Sequence, residues 1–264
     1  MPETQPPLAP KEYLHVRRLN ELAGYSDAQF VGGFRSLLSK LPQFQPFVEP
    51  VLHVIESGTT PTGIKELTFI GIEHHAPQSP EDKAFGKEMK AIFAAISKSP
   101  TLFVSGEHDL RVFTKNALHN EKNLAYQNIQ KFGIPLRGKL TTPKYVESWE
   151  EGFVELVKDT PQYSATGLDS HDMHTLALTI AAAMREKPQT PYSEIDDIYV
   201  HSIEGRTRYG LMRAANQAKP GQALVFIQGL IHGTGVAAWG KRNDIGVDFI
   251  IPDSLKPAAK RFLP

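Results

Sequence analysis

The chain has 264 residues, 41% of them hydrophobic and 22% charged, and its 29 Lys+Arg balance 29 Asp+Glu for a formal net charge of zero. That balance describes a globular protein long enough to bury a sizeable core. It excludes a chain disordered throughout and a global field that would draw it to nucleic acid or an anionic membrane. The absence of cysteine removes disulfides, thiolate metal sites and a cysteine nucleophile together, so any metal would be held by His and carboxylate.

The opening MPETQPPLAP is proline-rich and lacks the basic-then-apolar order of a signal peptide, which predicts a solvated, disordered tail over residues 1–10. No apolar run approaches the roughly 20 residues that span a bilayer. The expected location is therefore the cytoplasm, or outside it after export without a cleavable signal.

Residues 11–60 read as an N-terminal helical cap: KEYLHVRRLNELAG stops at Gly24, Ser26 and Asp27 can cap AQFVGGFRSLLSKL, and FVEPVLHVIES follows. The turn-rich GTTPTG then leads into an α/β domain over residues 61–264. Strand ELTFIGI runs through EHHAPQ to Ser79, an expected helix cap with Pro80 at the first helical position and Glu81 and Asp82 in the first turn. A helix to about Ser97 and a strand TLFVSGEHD complete a β-loop-α-β unit, which usually joins neighbouring parallel strands. Helical patterns follow in LRVFTKNALHNEKNLAYQNIQKFG, SWEEGFVELVKD, DMHTLALTIAAAMREK and RTRYGLMRAANQAK. A buried strand at 223–228 and a last candidate strand, DIGVDFIIP, end the pattern.

Two apolar strands end in the same way, in Gly-x-x-His: Gly71 to His74 and Gly229 to His232. A glycine after a strand allows a turn or a backbone approach closed to other residues, so that the histidine can be aimed over the sheet edge. On adjacent strands the pair would meet. Glu107 ends a third apolar run, TLFVSGEHD. Two imidazoles and a carboxylate suit a divalent Zn, Mn, Co or Fe with open coordination positions, and equally suit metal-free acid/base chemistry.

Several other groups surround this set. Glu73 can share the cleft of His74, while His75 faces the other way in an extended loop. His108 and Asp109 follow Glu107, and Arg111 or Arg137 can bind an anion or pair with Glu107. His171 and His174, with Asp172 nearby, share a helix face, although a Ser- and Asp-rich helix start more often serves as a cap. GRTRYG at 205–210 is a weak nucleic-acid signal in a neutral chain. GLIHGTGVAAWG lacks the lysine of a phosphate-binding loop, and no Gly-x-Ser-x-Gly elbow is present.

The stretch LTFIGIEHHAPQSPEDKAFGKEMKAIFAAISKSPTLFVSGEHDLR, with ALVFIQGLIHGTGVAAWG and Gly246-Val247, resembles the TraB/TIKI superfamily, which includes erythromycin-esterase-like and ChaN-like haem-uptake proteins and domains of some bacterial toxins. The likeness covers roughly residues 65–252. The chain departs from it in placing Arg111 four residues after Glu107, and in a helix head of Ser170-His171-Asp172 where an Arg-Asp or Arg-Asn pair is more typical. The resemblance implies an α/β fold with a mixed central sheet flanked by helices, built as two pseudo-duplicated halves behind the N-terminal helices. It implies His74, His232 and Glu107 as metal ligands or catalytic bases, with Glu73 and Arg111 orienting water or substrate. The expected activity is hydrolysis of an amide or ester bond in a peptide or small ester. The alternatives it implies are a haem- or iron-binding protein, and a toxin or effector domain acting on a host protein.

Overall fold

A computed structural model of the chain describes residues 10–58, 64, 66–75, 78–96, 101–105, 148–149, 166–167, 173, 176–177, 180–181, 191–218, 220 and 223–263. Three helices come first: α1 over Pro10–Ala23, α2 over Asp27–Lys40 and α3 over Gln45–Ser57. Ser26 caps α2 reciprocally, its Oγ accepting from the Gln29 N–H at 3.2 Å while Gln29 Oε1 accepts from the Ser26 N–H at 2.9 Å. Among the described residues, no helix is long and apolar enough to cross a membrane.

The α/β part begins with β1 (Glu66–Ile72) and α4 (Pro80–Ile96), which starts at Ser79 as predicted, the Ser79 Oγ accepting from the Asp82 N–H at 3.0 Å. Next come β2 (Thr101–Ser105), the short β3 (Thr166–Gly167), a 24-residue α5 (Glu194–Gln217) and β4 (Ala223–Gly229). A 3-10 turn at Leu230–His232, α6 (Gly233–Arg242), β5 (Gly246–Ile250), a second 3-10 turn (Asp253–Leu255) and the four-residue α7 (Lys256–Ala259) complete the chain. The expected tail lies outside the described residues except at its last position, as do the helical pattern at 110–133 and residues 150–159 of the one that begins at Ser148.

The five described strands lie in the order β3-β2-β4-β1-β5. Every described pairing is parallel, where the resemblance implied a mixed sheet. The connections explain this: α4 lies between β1 and β2, and α6 between β4 and β5, and a helical crossover returns the chain to run in the same direction. The β1-α4-β2 unit also differs from expectation, because β4 is inserted between its two strands, pairing Leu224 with Leu67 on one side and Leu102 on the other. All but the first residue of β4 is buried, as suits a central strand, whereas β5 is half-exposed at the edge.

Alternation sorts the strand residues onto two faces. Leu67, Phe69, Leu224 and Phe226 pack with Leu211 and Ala214 of α5 and Val236 and Trp239 of α6. Ile70, Ile72, Val225 and Ile227 pack with Phe85, Met89 and Phe93 of α4, with Trp149, and with Leu255 and Ala259. A third apolar cluster joins α2, α3 and Leu19 and Leu22 of α1 to Ile198, Val200 and Ile203 of α5 and to the helical residues Met173, Leu176 and Ile180.

Helix α5 is buried on all sides although it is not apolar: His201, Ser202, Glu204, Arg206, Thr207 and Arg208 are each less than a tenth exposed. Such groups are tolerated only when each finds a partner. Arg208, fully buried, donates to Glu204 at 2.7 Å, to Asp27 at 2.5 Å and to the Leu22 and Tyr25 carbonyls at 2.9 Å each, with its guanidinium 4.6 Å from the Phe30 ring centre. Arg242 of α6 donates to the Ala23 carbonyl at 2.5 Å. Two arginines thus cap the C-terminal end of α1 and bind the α1–α2 turn to the α/β part. Burial lowers the Arg242 pKa, and the neighbouring Arg208 adds to that shift.

His201 sits between Phe30 and Phe34, with ring centres 6.0 and 5.0 Å away, and its Nδ1–H donates to the Asp197 carbonyl at 2.8 Å. Burial lowers its pKa from 6.5 to about 4; Arg18 acts in the same direction, while Asp197 and Glu21 oppose the shift. The unfolded chain binds this proton more readily than the folded one. His201 therefore contributes stability that is complete above pH 6.5 and is lost as pH falls toward about 4.

Two predictions follow from this interior. Arg208→Leu leaves Glu204 buried without its counter-charge and lowers unfolding free energy by about 3 to 5 kcal/mol in urea titration, part of which the added Glu204→Leu restores. Thermal melts between pH 6.5 and 4 show stability declining with pH, and His201→Phe removes the share of that slope that belongs to the imidazole.

Candidate functional site

Strands β1 and β4 are paired to their last residues, Ile72 opposite Gly229. The segments that follow them leave the sheet side by side at its C-terminal edge, where open α/β sheets place their ligands. Beyond β1 run Glu73, His74 and His75. Beyond β4 the chain makes one 3-10 turn, Leu230–His232, before α6 begins.

A cavity of about 360 Å³ opens at this edge. Glu73 and His74 line it from β1, and Gly229 through His232 line it from β4. Tyr199, Ile203 and Arg206 of α5 form another wall, with Ala177 and Ala181 nearby, and Ala258 and Phe262 close it from the C-terminal segment. The two Gly-x-x-His motifs therefore converge on one space. His75 packs edge-on against Phe85 of α4, ring centres 5.2 Å apart, consistent with its expected turn to the other side.

The imidazoles differ in setting. His74 and Glu73 are exposed at the mouth, whereas His232 is 2% exposed. Thr207 Oγ1 lies 2.7 Å from His232 Nδ1 and donates its own hydrogen to the Ile203 carbonyl at 3.0 Å. With the hydroxyl donating to that carbonyl, its oxygen can accept from His232 Nδ1–H, the tautomer that leaves the lone pair on Nε2. A helix-to-turn hydrogen bond thus fixes the ring orientation.

Local packing is close around the glycine of the first motif. Gly71 is buried inside β1, and a Cβ there would stand 2.8 Å from Leu230 Cδ1 and 3.1 Å from Ile251 Cδ1. A side chain there would have to push aside the tips of those two residues. In the second motif Gly229 has a negative φ of −49°, outside the left-handed region that favours glycine. The helix after that motif abuts α5 at Gly235, where a Cβ would come within 2.4 Å of Glu204 Oε2 and 3.1 Å of Thr207 Cγ2. Burial raises the Glu204 carboxyl pKa, against the pull of Arg208 and Arg242. The C-terminal segment is tied at both ends: Thr234 Oγ1 donates to the Phe262 carbonyl at 2.7 Å, and Glu88 accepts from the Asp253 N–H and, at 2.8 Å, from Ser254 Oγ.

Glu107, Arg111, His108, Asp109, Arg137, His171, Asp172 and His174 lie outside the described residues. Among the described residues, no group of three His, Asp or Glu side chains is placed to hold a metal ion. The expected ligand set of His74, His232 and Glu107 thus has two members on the cavity wall, and Glu107 would have to complete it.

Sequence reading missed Tyr199, Arg206 and Thr207. The signal for Arg206 and Thr207 was present in HSIEGRTRYG, a largely polar helical stretch in the element that precedes the strand of the second Gly-x-x-His. Such a helix is either solvated or packed against partners, and proximity to that strand favours the second.

Thr207→Val removes the acceptor for the His232 Nδ1–H. Ring-nitrogen NMR on histidine-labelled protein is expected to show His232 as a single Nδ1–H tautomer in the wild type and a tautomer mixture in the variant. No protein-family model, no curated protein and no solved structure matches the chain.

Proposed function

We propose that the protein is a hydrolase of amide or ester bonds, of the TraB/TIKI type suggested by its motifs. The observation that carries this reading is the convergence of His74 and His232, from the ends of neighbouring strands, on one cavity with Glu73. The same strand-to-Gly-x-x-His step on both strands also supports the reading of the domain as two related halves. A cavity of about 360 Å³ is within the range of small-molecule sites.

His232 is suited to act as general base. Its Nε2 lone pair takes a proton from water as the water oxygen adds to the substrate carbonyl carbon, and Thr207 holds the resulting imidazolium at Nδ1. The tetrahedral intermediate collapses by breaking its C–N or C–O bond. His74, at the mouth, gives the departing nitrogen or oxygen a proton, with Glu73 orienting it. In the metal-dependent form of this reading, His74, His232 and Glu107 hold a divalent Zn, Mn, Co or Fe ion, which when bound supplies a Lewis acid and a more acidic water.

A screen of aryl esters and short peptides tests the reading. His232→Ala is expected to lower kcat by about 10²- to 10⁴-fold. Elemental analysis of wild type beside His74→Ala and His232→Ala decides the metal question: stoichiometric metal lost in both variants supports the shared site, and none in the wild type after incubation with each ion refutes the metal-dependent form. Absence of turnover on every ester and peptide in the screen would refute the hydrolase.

A further inference from the structure

His232 poses a problem of access. It lines the cavity but is only 2% exposed, so its ring shows too little surface for a ligand atom to reach while the walls stay where they are. A wall has to move. The ends of β1 and β4 are fixed in the sheet, and α5 is fixed by its buried hydrogen bonds. Glu73 and His74 already lie exposed at the mouth. Among the described walls that leaves the segment after β5, which contributes Ala258 and Phe262.

This segment divides into a buried root and a surface tip. In the root, Leu255 and Ala259 are buried with Ile70, Ile72, Phe85 and Met89, and Glu88 accepts from the Asp253 N–H and from Ser254 Oγ. In the tip, residues 260–263, Lys260 is exposed and Arg261, Phe262 and Leu263 are half-exposed. The tip lies back over the second motif. Thr234 Oγ1, two residues beyond His232, donates to the Phe262 carbonyl at 2.7 Å. A Cβ on Gly233, the residue after His232, would stand 2.4 Å from Leu263 Cδ2 and 3.1 Å from the Phe262 carbonyl oxygen. Phe262 and Leu263 are therefore seated against the turn that carries His232. A half-exposed tip on a core-anchored root is the kind of segment that opens locally while the rest of a fold stays intact.

We propose that residues 260–263 form a strap that closes over His232 and lifts to admit a ligand to it, with Phe262 as the cover and the buried root as the anchor. Closed, the strap keeps the imidazole from bulk water. Lifted, it opens the side of the cavity that Phe262 and Ala258 now wall off. The device needs no turnover, so it stands or falls separately from the hydrolase reading.

The absence of cysteine allows the strap to be locked. In Gly233→Cys/Leu263→Cys, a Cβ at 233 lies 3.6 Å from the present position of Leu263 Cγ, within reach of a disulfide. The measurement is the rate at which diethyl pyrocarbonate labels His232, read by peptide mass spectrometry, with exposed His53 as the fast reference and buried His201 as the control for unfolding. The reduced double variant is expected to label His232 at least about 10-fold faster than the oxidised one, with His53 labelled equally in both, as local opening implies. Thr234→Val is expected to raise the wild-type His232 rate by about 2- to 10-fold, the equivalent of one hydrogen bond. Phe262→Ala is expected to raise it as well. Equal His232 rates in the oxidised and reduced forms overturn the strap, and so does a wild-type His232 as reactive as His53. Labelling of His232 that rises only together with that of His201 reports unfolding of the whole chain and overturns it too. If the disulfide does not form, Thr234→Val and Phe262→Ala decide the matter, and a His232 rate unchanged in both overturns the inference.

Discussion

A helix that carries seven polar or charged side chains, Asp196 among them, into the interior can form only if they are matched, and α5 sets that condition for the rest of the molecule. One of its faces bears Glu204 and Arg208, and Arg208 reaches the α1–α2 turn through Asp27 and two carbonyls. Another bears Tyr199, Ile203 and Arg206, which form a cavity wall. Between them Thr207 joins the backbone of its own helix to His232. The N-terminal helices and the buried imidazole are thus held by consecutive turns of one element.

The sheet supplies the second condition. Because β4 is central and buried on both faces, its end must lie beside that of β1, and the turns that follow them emerge together. Gly71 lies against the Leu230 side chain of the 3-10 turn, whose histidine shares a cavity with His74. Gly235 is approached as closely between α6 and α5. Small residues here set distances between elements.

Much of this was legible in sequence because it is local. The Ser26 and Ser79 caps, the apolar runs of β1 and β4, and the edge strand at 246–250 follow from spacing and composition. The order of the sheet was not legible, since the insertion of β4 between β1 and β2 depends on pairing between residues more than a hundred positions apart. The same limit applied to α5. Its GRTRYG stretch read as a weak nucleic-acid signal, whereas Asp27, the Leu22 and Tyr25 carbonyls, the Phe30 ring and His232, all distant in sequence, are among the partners that make its burial tolerable. Of the candidate site, His74, His232 and Glu73 were found from the repeated motif, while Arg206 and Thr207 required the fold.

The central claim is that the two Gly-x-x-His turns meet at one cavity, and the cysteine-free chain allows it to be tested without reference to activity. The variant His74→Cys/His232→Cys, treated with a short bifunctional thiol reagent and analysed by peptide mass spectrometry, is predicted to form an intramolecular cross-link. The control His75→Cys/His232→Cys is predicted to form none, because His75 packs toward α4. A cross-link absent from the first pair, with both thiols labelled singly by a monofunctional reagent, would contradict the account.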